Sequence, residues 1–287
     1  MVRERIDELL LECQIVRAIG TDALGELALR RFGPRGDVAT QAIRRTAQAW
    51  TREPPAPRRE RTITSDAAHD GSLLSRMRVA VRAMNLPFDV IPSPTLSALS
   101  ATGHRTILVA TARDVTAAVA RRTVLHEVSG HAAPRARAAR MQNPIFGLGT
   151  AGGHDDQEGF ALLLEERAGC LDKERAFELG ARHLAATAMH DGASFIEVVR
   201  HLRALGVDVP RAIPCAERVF RGSGGAQPGL GREAIYLEAY LRVKRHLGKH
   251  PRDEALLSSG QLAVRTLQSF LGKQPLRLLA VPSSFAD

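Results

Sequence analysis

The 287-residue sequence is poor in cysteine, aromatic residues, lysine and long apolar runs, and each shortage excludes something. Cys13, Cys170 and Cys215 are odd in number and far apart, so they form neither a disulfide framework nor a C-x-x-C metal clamp and suit a reducing compartment. Each is expected to be a small core residue. Aromatics make up 4% of the chain and none alternates with the basic runs, which argues against a stacking platform for single-stranded nucleic acid. The apolar runs are short and interrupted, and the opening MVRERIDELLLEC is charged where a signal peptide carries an apolar core. A cytoplasmic protein without a membrane partner is therefore expected.

Hydrophobic residues, at 44%, are ample for a buried core. The formal net charge is +9, and only four of the 40 basic residues are lysines (Lys173, Lys244, Lys249, Lys273). Such an arginine excess favours acidic partners in general, whether a carboxylate substrate, an acidic peptide or nucleic acid. A GC-rich coding sequence accounts for it better, so charge alone is weak support for nucleic-acid binding.

Helical spacing of Ile6, Leu9, Leu10, Ile15, Val16 and Ile19 opens an N-terminal helical segment over residues 1–50, with Thr21 or Asp22 placed to cap a second helix ended by Gly33. Residues 51–70, beginning TREPPAPRRERT, form an exposed linker. A helix is expected over 71–84, then strands in LPFDVIPSP and RTILVATA, the second leading into a helix that carries His126. Further helices are expected at 156–170, 173–188, 194–205, 233–247 and 254–271, with the glycine-rich RVFRGSGGAQPGLG between the third and fourth. The expected organisation is α+β, mostly helical, with a small sheet beside the candidate metal helix: a catalytic domain over 71–275 and a tail over 276–287.

Within that helix, TVLHEVSGH places His126 and His131 five residues apart. The usual H-E-x-x-H spacing of four brings two imidazoles to one side of a regular helix, whereas five turns the second by about 140°. A π-type turn inserts one residue and restores the alignment. Gly130 eases such a widening, and Pro134 is expected to end the helix. Glu127 then stands where the general base of a zinc protease stands, beside a water that the metal would acidify. A third ligand is required. In HDDQEGFALLLEERAG, Asp155 or Asp156 is expected to cap a helix and Glu158 to lie in its first turn, making Glu158 the best third ligand. Glu165 is its rival two turns on, and His154 a further one. A first-turn carboxylate also complements a helix dipole without any metal. The other histidines, His69, His104, His183, His190, His201, His246 and His250, lack ligand spacing.

HEVSGH followed by QEGFA resembles the H-E-x-x-x-H metallopeptidase family named for its Q-E-G-L-A motif, whose animal members include the microtubule-associated tyrosine carboxypeptidases. RAIGTDALGELALRRFG resembles the family's upstream helical segment, and RVFRGSGGAQPGLGREAIYLEAY its arginine-glycine loop and following helix, so the likeness spans roughly residues 10–270. It implies a zincin-like fold and Zn2+ held by His126, His131 and Glu158, with Glu127 as base. Phe160 departs from the motif's leucine, and Ser129-Gly130 reverses the family's more usual order. Those departures bear on substrate pocket and local backbone.

A carboxypeptidase must also hold a terminal carboxylate, for which a bidentate guanidinium is suited. Arg218 and Arg221 are the candidates, with surface solvation as their ordinary alternative. Tyr236, and after it Tyr240, are candidates for stabilising the oxyanion, against simple helix packing. The expected function is removal of C-terminal residues from a peptide or protein. The alternatives are a zinc endopeptidase or aminopeptidase and a zinc-stabilised regulatory protein without turnover, the latter suggested by the family's association with flavohaemoglobin expression. Glu127 argues against the last, because a structural zinc site needs no base.

Overall fold

The computed structural model describes residues 1–34, 38–56, 62–66, 71–225 and 227–270; His69, the tail 276–287 and parts of the 51–70 linker lie outside these. In chain order the elements are α1 (Val2–Ala18), α2 (Leu24–Phe32), α3 (Val38–Trp50), β1 (Thr62–Thr64), α4 (Leu73–Ala83), β2 (Asp89–Ser93), β3 (Ser100–Thr102), β4 (Thr106–Ala110), β5 (Asp114–Thr116) and α5 (Ala117–Val124). A π-helical segment (Leu125–Ala132) follows, then α6 (Ala133–Ala138), α7 (Ile145–Leu148), α8 (Gly153–Arg167), α9 (Lys173–His190), α10 (Phe195–Ala204), α11 (Val209–Val219), α12 (Ala234–Lys249) and α13 (Glu254–Leu257). The architecture is α+β and mostly helical, with small sheets.

The chain divides into two compact units, each made of two stretches: Met1–Arg58 with Leu171–Arg242, and Arg59–Cys170 with Val243–Asp287. This division runs across the 71–275 stretch rather than along its ends. In the first unit, α9, α10 and α11 bury Phe177, Val198, Leu202 and Val219. α1 packs Ile15 and Ala18 against Leu24 of α2.

The second unit holds the sheets. β4 is central, parallel to β2 and antiparallel to β3, while β1 and β5 form a separate antiparallel pair. β3 is thus an edge strand, with Ser100, Ala101 and Thr102 opposite Val109, Leu108 and Ile107. Ile107, Val109, Met77, Leu73 and Val128 form the core behind it. Thr116 caps α5 by accepting the Val119 N–H, so β5 passes directly into the helix that becomes the π segment.

Several expectations are corrected. Ala23, not Thr21 or Asp22, precedes α2, and no side chain caps it. α8 begins at Gly153 behind left-handed Gly152, which has no side chain to cap it, and a Cβ at Gly153 would lie 1.9 Å from the Gln261 carbonyl oxygen. Asp155 and Asp156 therefore fall inside the first turn, and Glu158 lies beyond it. The helix expected over 254–271 breaks after Leu257, where Gly260 passes within 2.5 Å (measured from its absent Cβ) of the Phe146 carbonyl oxygen. Pro134 does not stop the helix, which continues to Ala138. The Ala133 N–H still bonds five residues back to Val128, so the missing N–H of Pro134 falls where the register switches from π to α. Cys13 is exposed rather than a core residue. α11, with Pro210 at its start and Pro214 inside, was hidden by those prolines.

Candidate metal centre

The five-residue histidine spacing is resolved by the π segment. With i to i−5 hydrogen bonding, His126 and His131 come to adjacent turns on one side, their rings 4.9 Å apart at 67°. Gly130 serves a purpose beyond backbone freedom: a Cβ there would lie 2.4 Å from the Ala161 Cβ, so its absence lets the π segment lie directly against α8. That approach delivers Glu158. Its Oε2 lies 3.2 Å from His126 Nε2 and 3.4 Å from His131 Nε2. One ligand atom from each of the three residues lies within 4.8 Å of the others, a group arranged to hold a metal ion.

α8 also supports the far side of both imidazoles. Glu165, fully buried, lies 2.7 Å from His126 Nδ1, and Gln157 Oε1 lies 3.2 Å from His131 Nδ1. Gln261 in turn donates to Gln157 Oε1 at 3.1 Å and contacts His154 Nδ1 at 3.2 Å. Glu165 thus bonds the outer nitrogen of a histidine, and His154 Nε2 reaches Glu158 at 3.9 Å without joining the trio. Burial disfavours a charged imidazolium at His126, but hydrogen bonds and charges from Glu158 and Glu165 outweigh it and raise the pKa to about 10.

Glu127 is buried, and both its oxygens are occupied by hydroxyls from the edge strand: Ser100 donates to Oε1 at 2.7 Å and Thr102 to Oε2 at 2.6 Å. Arg135, one turn beyond His131, donates to the carbonyls of Thr102 and Gly103 and so braces that strand. Burial lowers its pKa below the usual guanidinium range, while the charges of Glu158 and Glu127 oppose the shift. Neither the two hydroxyls nor Arg135 was found from sequence. The hydroxyls lie some 25 residues away with no periodic relation to Glu127, whereas Arg135 carried the one usable signal, a spacing of four from His131.

The remaining candidates belong to the first unit. Arg218 donates through Nε to buried Glu233 at 3.1 Å, and the Arg221 side chain has no polar partner among the described residues. Tyr236 is half-buried with the Arg232 guanidinium 5.9 Å from its ring centroid, and Tyr240 is buried against Trp50.

The family model for microtubule-associated tyrosine carboxypeptidase matches residues 1–283. The chain belongs to this family. Membership in the microtubule-associated tyrosine carboxypeptidase family implies a carboxypeptidase-related function. No curated protein matches the sequence significantly. Among solved structures, one described as a "putative lipoprotein" from Colwellia psychrerythraea is similar in fold, with a TM-score of 0.51 at 14% identity. The alignment covers 95% of this chain and 52% of that one, so this member of the carboxypeptidase family spans about half the length of its structural neighbour. Among the described residues no helix is long and apolar enough to cross a membrane.

Proposed function

We propose that the chain is a zincin-like, zinc-dependent carboxypeptidase of the cytoplasm that removes C-terminal residues from a peptide or protein. The carrying observation is the pair of distances from Glu158 to the two imidazoles. Zinc bonds to nitrogen and carboxylate oxygen are about 2.0–2.2 Å, which puts tetrahedral ligands roughly 3.3–3.6 Å apart. The 3.2 and 3.4 Å separations of Glu158 from the two imidazoles fit that edge length, and two histidines with one glutamate is a donor set typical of catalytic zinc. When bound, zinc supplies a Lewis acid that polarises the scissile carbonyl and acidifies water.

The chain's own residues supply the rest. Glu127 takes the proton of the attacking water at a carboxylate oxygen and passes it to the departing amine nitrogen. Ser100 and Thr102 hold that carboxylate in place until a water displaces one hydroxyl. Glu165 and Gln157 fix which nitrogen of each histidine faces the ion. Arg218 or Arg221 binds the substrate's terminal carboxylate and Tyr236 donates to the oxyanion; family resemblance supports these three roles. The Arg218 pair with Glu233 favours Arg221 as the freer guanidinium.

Glu127→Gln is expected to abolish hydrolysis of a peptide library, read by mass spectrometry, while zinc content stays at the parent level. Parental activity in that variant would overturn the mechanism. Amidation of the peptide C terminus should stop cleavage; continued cleavage would make the enzyme an endopeptidase or aminopeptidase instead.

A further inference from the structure

α1 is apolar on two sides. One side carries Ile15 and Ala18 into the first unit's core. The other carries Val2, Ile6, Leu9, Cys13 and Val16, which are spaced 4, 3, 4 and 3 and all lie open to solvent. Their exposures are high for such side chains: 59% for Val2, 51% for Ile6, 40% for Leu9 and 66% for Val16. Leu10, 57% exposed, widens the stripe. At about 100° per residue these five positions span only about 80° of the helix circumference. A monomer does not need an ordered apolar stripe on its surface, and a 3.5-residue period is the pattern of a coiled-coil seam.

We propose that this stripe is a homodimer interface, in which α1 pairs in parallel and in register with α1 of a second copy. Three observations select that occupant. The seam is self-complementary: Ile6 and Cys13 take the a positions and Val2, Leu9 and Val16 the d positions, and its central pair, Ile6 at a with Leu9 at d, is the combination that favours two parallel strands. Charge agrees, because the g position Glu12 faces the e position Arg17 of the second copy. Arg17 is exposed and has no ionic partner among the described residues, while Glu12 accepts from Arg31 through Oε1 at 3.0 Å and has its Oε2 4.0 Å from Arg5. An antiparallel pair, by contrast, leaves either Val2 or Val16 outside the seam. The helix is about 25 Å long, enough for five layers.

The parallel register brings Cys13 opposite Cys13 of the second copy, which supplies the test. Light scattering of the full chain is expected to read about twice 31.1 kDa. Bismaleimidoethane, a short thiol cross-linker, is expected to convert the dimer to a covalent one that Cys13→Ser does not form. Ile6→Glu with Leu9→Glu is expected to halve the mass while leaving the circular dichroism spectrum unchanged, since neither side chain is in the core. A wild-type monomer at the highest soluble concentration would overturn the proposal and assign the stripe to a different protein or a lipid surface. A dimer unaffected by the double substitution would overturn it as well. A dimer that the cross-linker cannot join through Cys13 would overturn the parallel register.

Discussion

At the residue scale, the candidate site rests on side chains whose positions are held by others. Sequence spacing identified His126, His131, Glu127 and Glu158, because ligands and base lie within a few residues of each other or of a helix start. It ranked Glu165 as a rival ligand. The structure instead sets Glu165 behind His126, 2.7 Å from Nδ1, while Glu158 occupies the ring's other nitrogen. Spacing along α8 cannot distinguish these two, since residues seven apart share a face and only the position of the facing helix decides which nitrogen each meets. On the zinc reading, Glu165→Gln keeps the shape but removes the charge that orients and polarises the imidazole. Its zinc affinity, measured by chelator competition, is expected to fall about 10-fold or more. An unchanged affinity would remove Glu165 from that role.

At the element scale, the decisive feature is the contact between the π segment and α8. Gly130 was read from sequence as a source of backbone freedom, and the widening it suggested is present. Its tighter constraint is steric: the Ala161 Cβ and Cα would lie 2.4 and 3.0 Å from an added Cβ. Gly130→Ala is therefore expected to cost about 1–3 kcal/mol, read from the urea midpoint, as an overpacked core does. Adding Ala161→Gly removes the nearer clash but not the backbone one, so it should restore only part of the loss. A neutral Gly130→Ala would show that the two helices can move apart. The longer helices were legible from their periodicity. The short edge strand β3 was not, since three residues of Ser, Ala and Thr carry no alternation to read, although they hold Glu127.

At the scale of the whole molecule, acid acts on the first compact unit through its buried histidines. In the first unit, burial lowers the pKa of His183, whose Nδ1 donates to the Ala234 carbonyl and whose shift Arg44 reinforces; burial likewise lowers His190, against Asp191. Both are neutral when folded, and unfolding lets them take up protons below about pH 6.5. The unfolded chain then binds more protons, so this stability is complete above that pH and is lost as pH falls through it towards the folded values. Trp50, the single tryptophan, lies in this unit beside Tyr240 and reports its unfolding. Its urea midpoint is expected to be lower at about pH 5 than at about pH 8, with a smaller difference in His183→Gln. A difference unchanged by that substitution would shift the cause to other groups. By itself, then, the sequence determined the helical content, the absence of a disulfide framework and the identity of the candidate ligands, because these follow from local periodicity, composition and short spacings. Only the tertiary structure decided which elements join which unit, that a strand edge grips Glu127, and which carboxylate meets which imidazole nitrogen. Those outcomes depend on the distance between segments far apart in the chain, set by how closely glycine and alanine let them pack.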